Sequence, residues 1–317
     1  VSDIAQERRA QFGRFLLGTG NIGGIATTTG PGIGLSEPEG LDLIDRALEE
    51  GIAVIDTSDA YTGGASERVV GEWNRAHPDS GVLIQTKTGV RADGPDLSPG
   101  RVAQQLAHSI ETLGRVDLYL AHVVDPHTPW SESLPVFSEA VESGRIRAYG
   151  LSNVDEAALA SALETADRLG LTRPQIVQNS FSLIQRRDDA GVLPIVESER
   201  LVYEPYSPLS NGILAGRYSR GDRPATGSRA SIASGSAVFL DDAELMARVR
   251  AFDDLAETHG VSSAGLALAW LTNHPLVTAP IIGVSRPAQW QGVREAAALA
   301  WSAQLETQVD ALFPSPR

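Results

Sequence analysis

Short apolar runs recur along the chain, and most are continuous rather than alternating. They are Phe15–Leu17, Ala53–Asp56, Val82–Thr86, Leu118–Ala121, Ala148–Leu151, Ile176–Gln178, Leu201–Tyr206 and Pro280–Gly283. A continuous run suits a strand buried on both faces, since both of its sides meet apolar neighbours. Between the runs the apolar spacing changes to three and four. Glu39–Glu50 sets Leu41, Ile44 and Leu48 on one face, and Arg101–Leu113 does the same with Val102, Leu106, Ile110 and Leu113. Leu134–Ser143, Glu156–Leu169 and Glu244–Thr258 repeat the helical pattern. Asp155 and Asp241 stand where N-caps belong, and Gly51, Gly144 and Gly170 where helices stop.

Eight strands alternating with helices predict an α/β protein, a (β/α)8 TIM barrel spanning residues 1–317 as a single domain. A doubly wound open sheet is the competing arrangement, and it needs a Gly-rich turn that opens a helix. Gly18-Thr19-Gly20-Asn21-Ile22-Gly23 fits that turn by letter, but the run that follows, Gly24 to Gly30, is no helix start. Ser210 to Val238, after strand 7, is rich in Gly, Ser, Arg and Pro and reads as a long functional loop or a mobile segment rather than a linker. Ser302–Phe313 reads as a terminal helix, followed by a Pro-Ser-Pro end expected to fray.

Charge and composition narrow the function. Lys and Arg number 26 against 40 Asp and Glu, a formal charge of −14 that disfavours nucleic acid and anionic membranes as partners. The chain has no Cys, which excludes disulfides and thiolate chemistry. Its six His show no metal-ligand spacing, so no metal site is expected. No apolar run approaches the roughly 18–20 residues of a membrane span, and Val1 to Arg14 holds no apolar signal core. These features predict a soluble, cytoplasmic protein, monomeric by default.

Barrel chemistry gathers where the strands end. Strand 2 ends in Asp56, with Tyr61 in the next loop. Strands 3 and 4 end in Lys87 and His122. Strands 5, 6 and 7 end in Ser152-Asn153, Gln178-Asn179 and Tyr206-Ser207, and strand 8 ends in Gly283. Each residue alone is an ordinary cap or turn former. Together, neighbouring strands bring a carboxylate, a phenol, an ammonium and an imidazole to one face. A Lys beside a Tyr favours the phenolate and lowers a pKa that is ordinarily about 10. A carboxylate fixes the Lys, and a His can bond a substrate oxygen. That set suits a general acid protonating an alkoxide as hydride reaches a carbonyl carbon.

These residues resemble the aldo-keto reductases. Asp56-Thr57-Ser58-Asp59-Ala60-Tyr61 with Gly64-Ala65-Ser66-Glu67 is similar to that family's strand 2 signature. Ile84-Gln85-Thr86-Lys87 and Asp117-Leu118-Tyr119-Leu120-Ala121-His122 are similar to its lysine and histidine strands. Gly144 to Asn153, Gln178 to Leu183, and Tyr206 to Tyr218 resemble its strand 5, 6 and 7 regions. The likeness spans roughly Leu16 to Ala300, and its motifs are specific as an ordered set.

The resemblance implies a (β/α)8 barrel using NADPH, less often NADH, in extended form. It implies Tyr61 as general acid, assisted by Lys87 and Asp56, with His122 orienting the carbonyl. Ser152, Asn153 and Gln178 would hold the carboxamide, and Tyr206 would stack on the nicotinamide. Gly18, Thr19, Gly20 and Asp56 would border the cofactor. Ser207, Pro208, Leu209, Asn211, Gly212 and Arg217 would line the pyrophosphate. Gly283, Ser285, Arg286 and Gln289 would bind the adenosine end. Asn21, Ile22, Tyr61, His122, Val123 and Trp130 would shape the substrate pocket, with Trp130 equally suited to a helix-start staple. The chain departs from the family at Gly292-Val293, where many relatives carry Glu-Asn. It departs again at Gly20, where many carry an aromatic residue, and this implies a pocket open to bulkier or more polar substrates.

The leading expectation is an enzyme, an NADP-dependent oxidoreductase reducing an aldehyde or ketone, such as a keto-sugar or another polar carbonyl metabolite, to the alcohol. One alternative runs the same site as an NAD(P)-dependent alcohol or aldose dehydrogenase. The other is a cofactor-sensing binding subunit with little turnover.

Overall fold

The structure is a computed structural model, and it describes residues 11–30, 32–232 and 236–315. Residues 1–10 of the expected polar start, residue 31, residues 233–235 of the long loop, and Pro316 of the Pro-Ser-Pro end with Arg317 therefore lie outside the described residues.

Eight strands form one parallel sheet: β1 (Leu16–Gly18), β2 (Val54–Asp56), β3 (Leu83–Thr88), β4 (Leu118–Ala121), β5 (Ala148–Ser152), β6 (Ile176–Gln178), β7 (Val202–Tyr203) and β8 (Ile281–Ile282). Their order is β7-β6-β5-β4-β3-β2-β1-β8. The Thr278 N–H donates to the Tyr203 carbonyl at 2.9 Å and the Ile281 N–H to the Pro205 carbonyl at 2.8 Å, which brings the two edges together. The fold is the expected (β/α)8 barrel.

Helices alternate with the strands: α1 (Glu37–Glu49), α2 (Ala65–Ala76), α3 (Pro99–Leu113), α4 (Trp130–Glu142), α5 (Glu156–Leu169) and α6 (Val192–Ser198). After β7 come a 3-10 segment (Ser210–Ala215), α7 (Arg229–Ile232), α8 (Ser236–Asp241), α9 (Ala243–Thr258) and α10 (Ser263–Asn273). After β8 come α11 (Trp290–Ala298) and α12 (Ala303–Leu312). Asp155 caps α5 by accepting from the Ala158 N–H at 2.8 Å. The cap of α9 is Asp242, one residue beyond the expected Asp241, and it accepts from the Leu245 N–H at 2.9 Å. Asp241 instead pairs with Arg223 at 3.2 Å. Gly170 ends α5 with φ of 66°, a left-handed turn at which a side chain would be strained.

Strand parity separates two apolar layers. Leu16, Val54, Leu83, Leu118, Leu120, Ala148, Ile176, Val202 and Ile281 form one cluster inside the barrel, joined by Phe12. Their strand neighbours Leu17, Ile55, Ile84, Tyr119, Tyr149, Val177, Tyr203 and Ile282 belong to the layer packed under the helices. Side chains alternate along a strand, so positions two beyond the inner residues also face inward. Asp56, Gln85, Lys87, Gln178 and Glu204 inherit those positions, above an apolar floor.

Three other expectations change. β7 is shorter than Leu201–Tyr206 and stops at Tyr203, although the Glu204 and Tyr206 N–H groups still donate to the Val177 and Asn179 carbonyls, each at 2.9 Å. The loop after it is not wholly irregular, since it folds into α7 and α8, and its Ser219 carbonyl accepts from both Nε and Nη2 of Arg250. Ser315, within the end expected to fray, instead donates its hydroxyl to Asp189 at 2.6 Å.

Candidate active site

Lys87 is the centre of the site. Its side chain is fully buried, and its ammonium lies 2.8 and 2.7 Å from Oδ1 and Oδ2 of Asp56 and 2.6 Å from the Thr57 carbonyl. An unpaired ammonium there would be prohibitively costly, so the pair is obligatory. Burial works to lower the Lys87 pKa, but Asp56 and Tyr61 outweigh it and hold the group above its ordinary value.

Tyr61 begins a 3-10 turn (Tyr61–Gly64) directly after the β2 loop. The Lys87 ammonium lies 5.0 Å from its ring centroid. The sequence leads one to expect a lowered Tyr61 pKa, but the net shift is upward. Burial pushes it up by more than Lys87 pulls it down, and Asp56 adds to the rise. Arg229, in α7, contributes a smaller downward pull, so the long loop brings a guanidinium toward the mouth.

His122 faces Tyr61 edge-on, with ring centroids 5.8 Å apart. Burial, and then the Lys87 charge, depress its pKa to about 3, so it is a neutral imidazole at any physiological pH. Its Nδ1 lies 3.0 Å from the Ser58 hydroxyl. Ser58 accepts from the Ala60 N–H at 3.2 Å and also stands 3.3 Å from Asp59 Oδ1. Asp59 is in turn held by the Thr88 hydroxyl at 3.0 Å and Arg101 at 3.2 Å. The four expected catalytic residues therefore meet at one end of the barrel, and their outer supports are Ser58, Asp59, Thr88 and Arg101.

Beneath them lies a polar layer that sequence reasoning missed. Gln85 donates from Nε2 to Asp56 at 2.9 Å and to Glu204 at 2.7 Å. Gln178 does the same at 3.1 and 3.2 Å. Glu204 is fully buried. Its signal in the sequence is a carboxylate interrupting the apolar run Leu201-Val202-Tyr203 ahead of Pro205.

The remaining candidate cofactor residues ring the mouth. The Tyr206 hydroxyl donates to Asn153 Oδ1 at 2.6 Å, while Asn153 Nδ2 donates to the His122 carbonyl at 2.8 Å and to Ser152 Oγ at 3.1 Å. Asn153 adopts φ of 57°, a conformation Asn tolerates better than most residues. This chain of bonds fixes the Tyr206 ring at the rim. Gln178 spends its amide N–H groups on carboxylates, which leaves its carbonyl oxygen as the acceptor toward a carboxamide. Ser207, Ser210, Asn211 and Gly212 all have positive φ and shape a tight loop after β7. Open space surrounds Gly283 where a Cβ would stand. Arg217 and Arg286 are exposed. The residues at the nicotinamide end thus fit a nicotinamide cofactor.

Other expected residues also make contacts within the framework. Thr19 is fully buried, with its hydroxyl donating to the Asp56 carbonyl at 2.9 Å. At Gly18 a Cβ would come within 2.8 Å of Ile281. Asn21 donates to the Val284 carbonyl at 2.7 Å. Ile22 is buried and packs toward Gly40 of α1, and Trp130 packs on the outer core, but as the first residue of α4 after its cap Pro129 it is not at the staple position, which precedes the cap. Gln289 accepts from the Ser285 and Arg286 N–H groups at 2.7 and 2.9 Å, holding its own loop together. At Gly292 a Cβ would lie 3.2 Å from Ala264, and Val293 is buried, so this pair packs α11 against α10.

An apolar-floored parallel barrel with a buried Lys–Asp pair, a Tyr and a neutral His at its strand ends defines a carbonyl oxidoreductase of the (β/α)8 class. The aldo/keto reductase family model matches residues 16–313, and the chain belongs to that family. It is 27% identical to the uncharacterized oxidoreductase YrpG of Bacillus subtilis, over 96% of this chain and 93% of that protein. It is 29% identical to an NADH-specific methylglyoxal reductase of Escherichia coli, over 87% of each. Among solved structures it is similar to a glycerol dehydrogenase from Gluconobacter oxydans, with a TM-score of 0.80, 26% identity, and coverage of 94% of this chain and 90% of the other. Among the described residues no helix is long and apolar enough to cross a membrane.

Proposed function

We propose that this chain is an NADPH-dependent reductase of aldehydes or ketones bearing polar substituents, keto-sugars among them. The observation that carries the reading is the buried Lys87–Asp56 pair set beside Tyr61 and a neutral His122. A bound nicotinamide supplies the hydride. Tyr61 gives its proton to the carbonyl oxygen as negative charge develops there. The nearby ammonium of Lys87 stabilises the phenolate left behind, and Asp56 holds that ammonium in place. His122, donating from Nε2, orients the same oxygen.

Ser152, Asn153 and Gln178 are proposed to hold the carboxamide, and Tyr206 to stack on the nicotinamide ring. Ser207, Pro208, Leu209, Asn211, Gly212 and Arg217 take the pyrophosphate, and Gly283, Ser285, Arg286 and Gln289 the adenosine end. Gly20 leaves the side of the pocket next to Tyr61 without a side chain: a Cβ there would already lie 3.4 Å from the Tyr61 ring. The missing side chain at Gly20 supports a polar substrate of some bulk.

A second reading runs the site in reverse, oxidising a polyol with NAD(P), and the similarity to a glycerol dehydrogenase favours it. Parallel fluorescence titrations with NADPH and NADH separate the two. NADPH binding at least about tenfold tighter, roughly 1.4 kcal/mol, supports the reductase. Tighter NADH binding contradicts the NADPH preference, and faster polyol oxidation than carbonyl reduction on the same preparation favours the dehydrogenase.

A further inference from the structure

Glu204 has no role in the reaction as described above, yet it is fully buried and shares its amide donors with Asp56. Two amide nitrogens, Gln85 Nε2 and Gln178 Nε2, each bridge the same two oxygens, Asp56 Oδ1 and Glu204 Oε2. Lys87 directs its hydrogen bonds to both oxygens of Asp56 and to the Thr57 carbonyl, so no cation bonds Glu204. Glu204 Oε1 and Gln85 Oε1 are both buried without a hydrogen-bond partner. Two ionised carboxylates sharing one ammonium, with acceptors left over, would place an uncompensated charge where no water reaches. A proton on Oε1 removes that charge.

We propose that Glu204 rests as the neutral acid, and that its ionisation weakens Tyr61 as a proton donor, making Glu204 a positioning residue that sets the alkaline limb of turnover. The proposal rests on the reading of Tyr61 as general acid. The groups facing Glu204 are Asp56 from β2, Gln85 and Lys87 from β3, and Gln178 from β6. β8, packed beside β7, consists of Ile281 and Ile282 and has no titratable group. Burial is the largest influence on Glu204 and Asp56 adds to it, against the bonds from Gln85 and Gln178 and the weak pull of Lys87, and the group titrates at about 7. When the proton leaves to solvent, the new negative charge opposes any charge growing on the Tyr61 oxygen. Proton transfer to the substrate therefore slows.

Two measurements test this. The first is kcat/KM for reduction of a small aldehyde across neutral pH. It should fall about three- to tenfold through pH 7 in the parent protein, and Glu204→Gln should abolish that fall. The second is an infrared titration of the protein without cofactor or substrate. A protonated-carboxyl band should disappear through the same range and be missing in Glu204→Gln. That comparison is needed because burial also raises Asp59 and Glu67. If Glu204→Gln does not fold, Glu204→Met must show the same two losses. A limb and band that persist in the variant overturn the proposal, as does a parent protein with neither. A Glu204 band that titrates in a protein without reductase activity keeps the neutral acid and refutes the reductase reading instead.

Discussion

The Ser58 hydroxyl lies 3.0 Å from His122 Nδ1, closer than the 3.3 Å to its other acceptor, Asp59 Oδ1. Asp59 already accepts from Thr88 and Arg101. Ser58 has one proton for these two acceptors; we propose that it goes to His122, which leaves the imidazole proton on Nε2, where it can bond a carbonyl oxygen. Ser58 thus orients a group that never needs to ionise.

Ser58→Ala removes that orienting bond, worth about 1 kcal/mol. The expected result is a loss of about three- to tenfold in kcat/KM, with cofactor affinity preserved. Steady-state kinetics and fluorescence titration of the variant measure both. Unchanged kinetics would mean that another group fixes the tautomer.

Lys87→Met should destabilise the fold as well as the reaction. It strands the buried Asp56 carboxylate, at a cost of about 3–5 kcal/mol. Adding Asp56→Asn should recover much of that stability without recovering activity. Denaturant unfolding of both variants is the check, and additive losses would contradict the pairing argument.

Stability should depend on pH through Glu204. Its folded-state pKa of about 7 lies above the ordinary value, so between roughly pH 4.5 and 7 the folded state holds a proton that the unfolded state releases. Its contribution to stability is present below that window and is lost as pH rises through it. Glu204→Gln should therefore gain on the parent protein with rising pH, by up to about 3 kcal/mol above pH 7. Thermal melts of both proteins across the window measure the difference, and parallel curves would refute it.

Gly20→Phe should narrow the pocket beside Tyr61, because even a Cβ at that position reaches van der Waals contact with the ring. KM for a polyhydroxy ketone should rise by about tenfold or more, while a small aldehyde is affected less. Equal effects on both substrates would place the substrate elsewhere.

Much of this was legible in the sequence because strand ends and helix periods are local signals. Asp56, Lys87 and His122 stand out as polar residues that end apolar runs, and Tyr61 follows in a motif. Glu204 and Gln85 were not legible as a pair, since they lie 119 positions apart and meet only when the barrel closes. The direction of the Tyr61 shift was missed for a related reason: it depends on how deeply the ring is buried, which spacing does not report. Asp242 displaced Asp241 as a cap by a single residue, a margin that local spacing does not resolve.

The central claim is that Tyr61 delivers the proton. The most direct test is Tyr61→Phe, with NADPH binding and aldehyde reduction measured on the same preparation. Retained binding with turnover reduced by at least about a thousandfold is the predicted result. Turnover near that of the parent protein would contradict it.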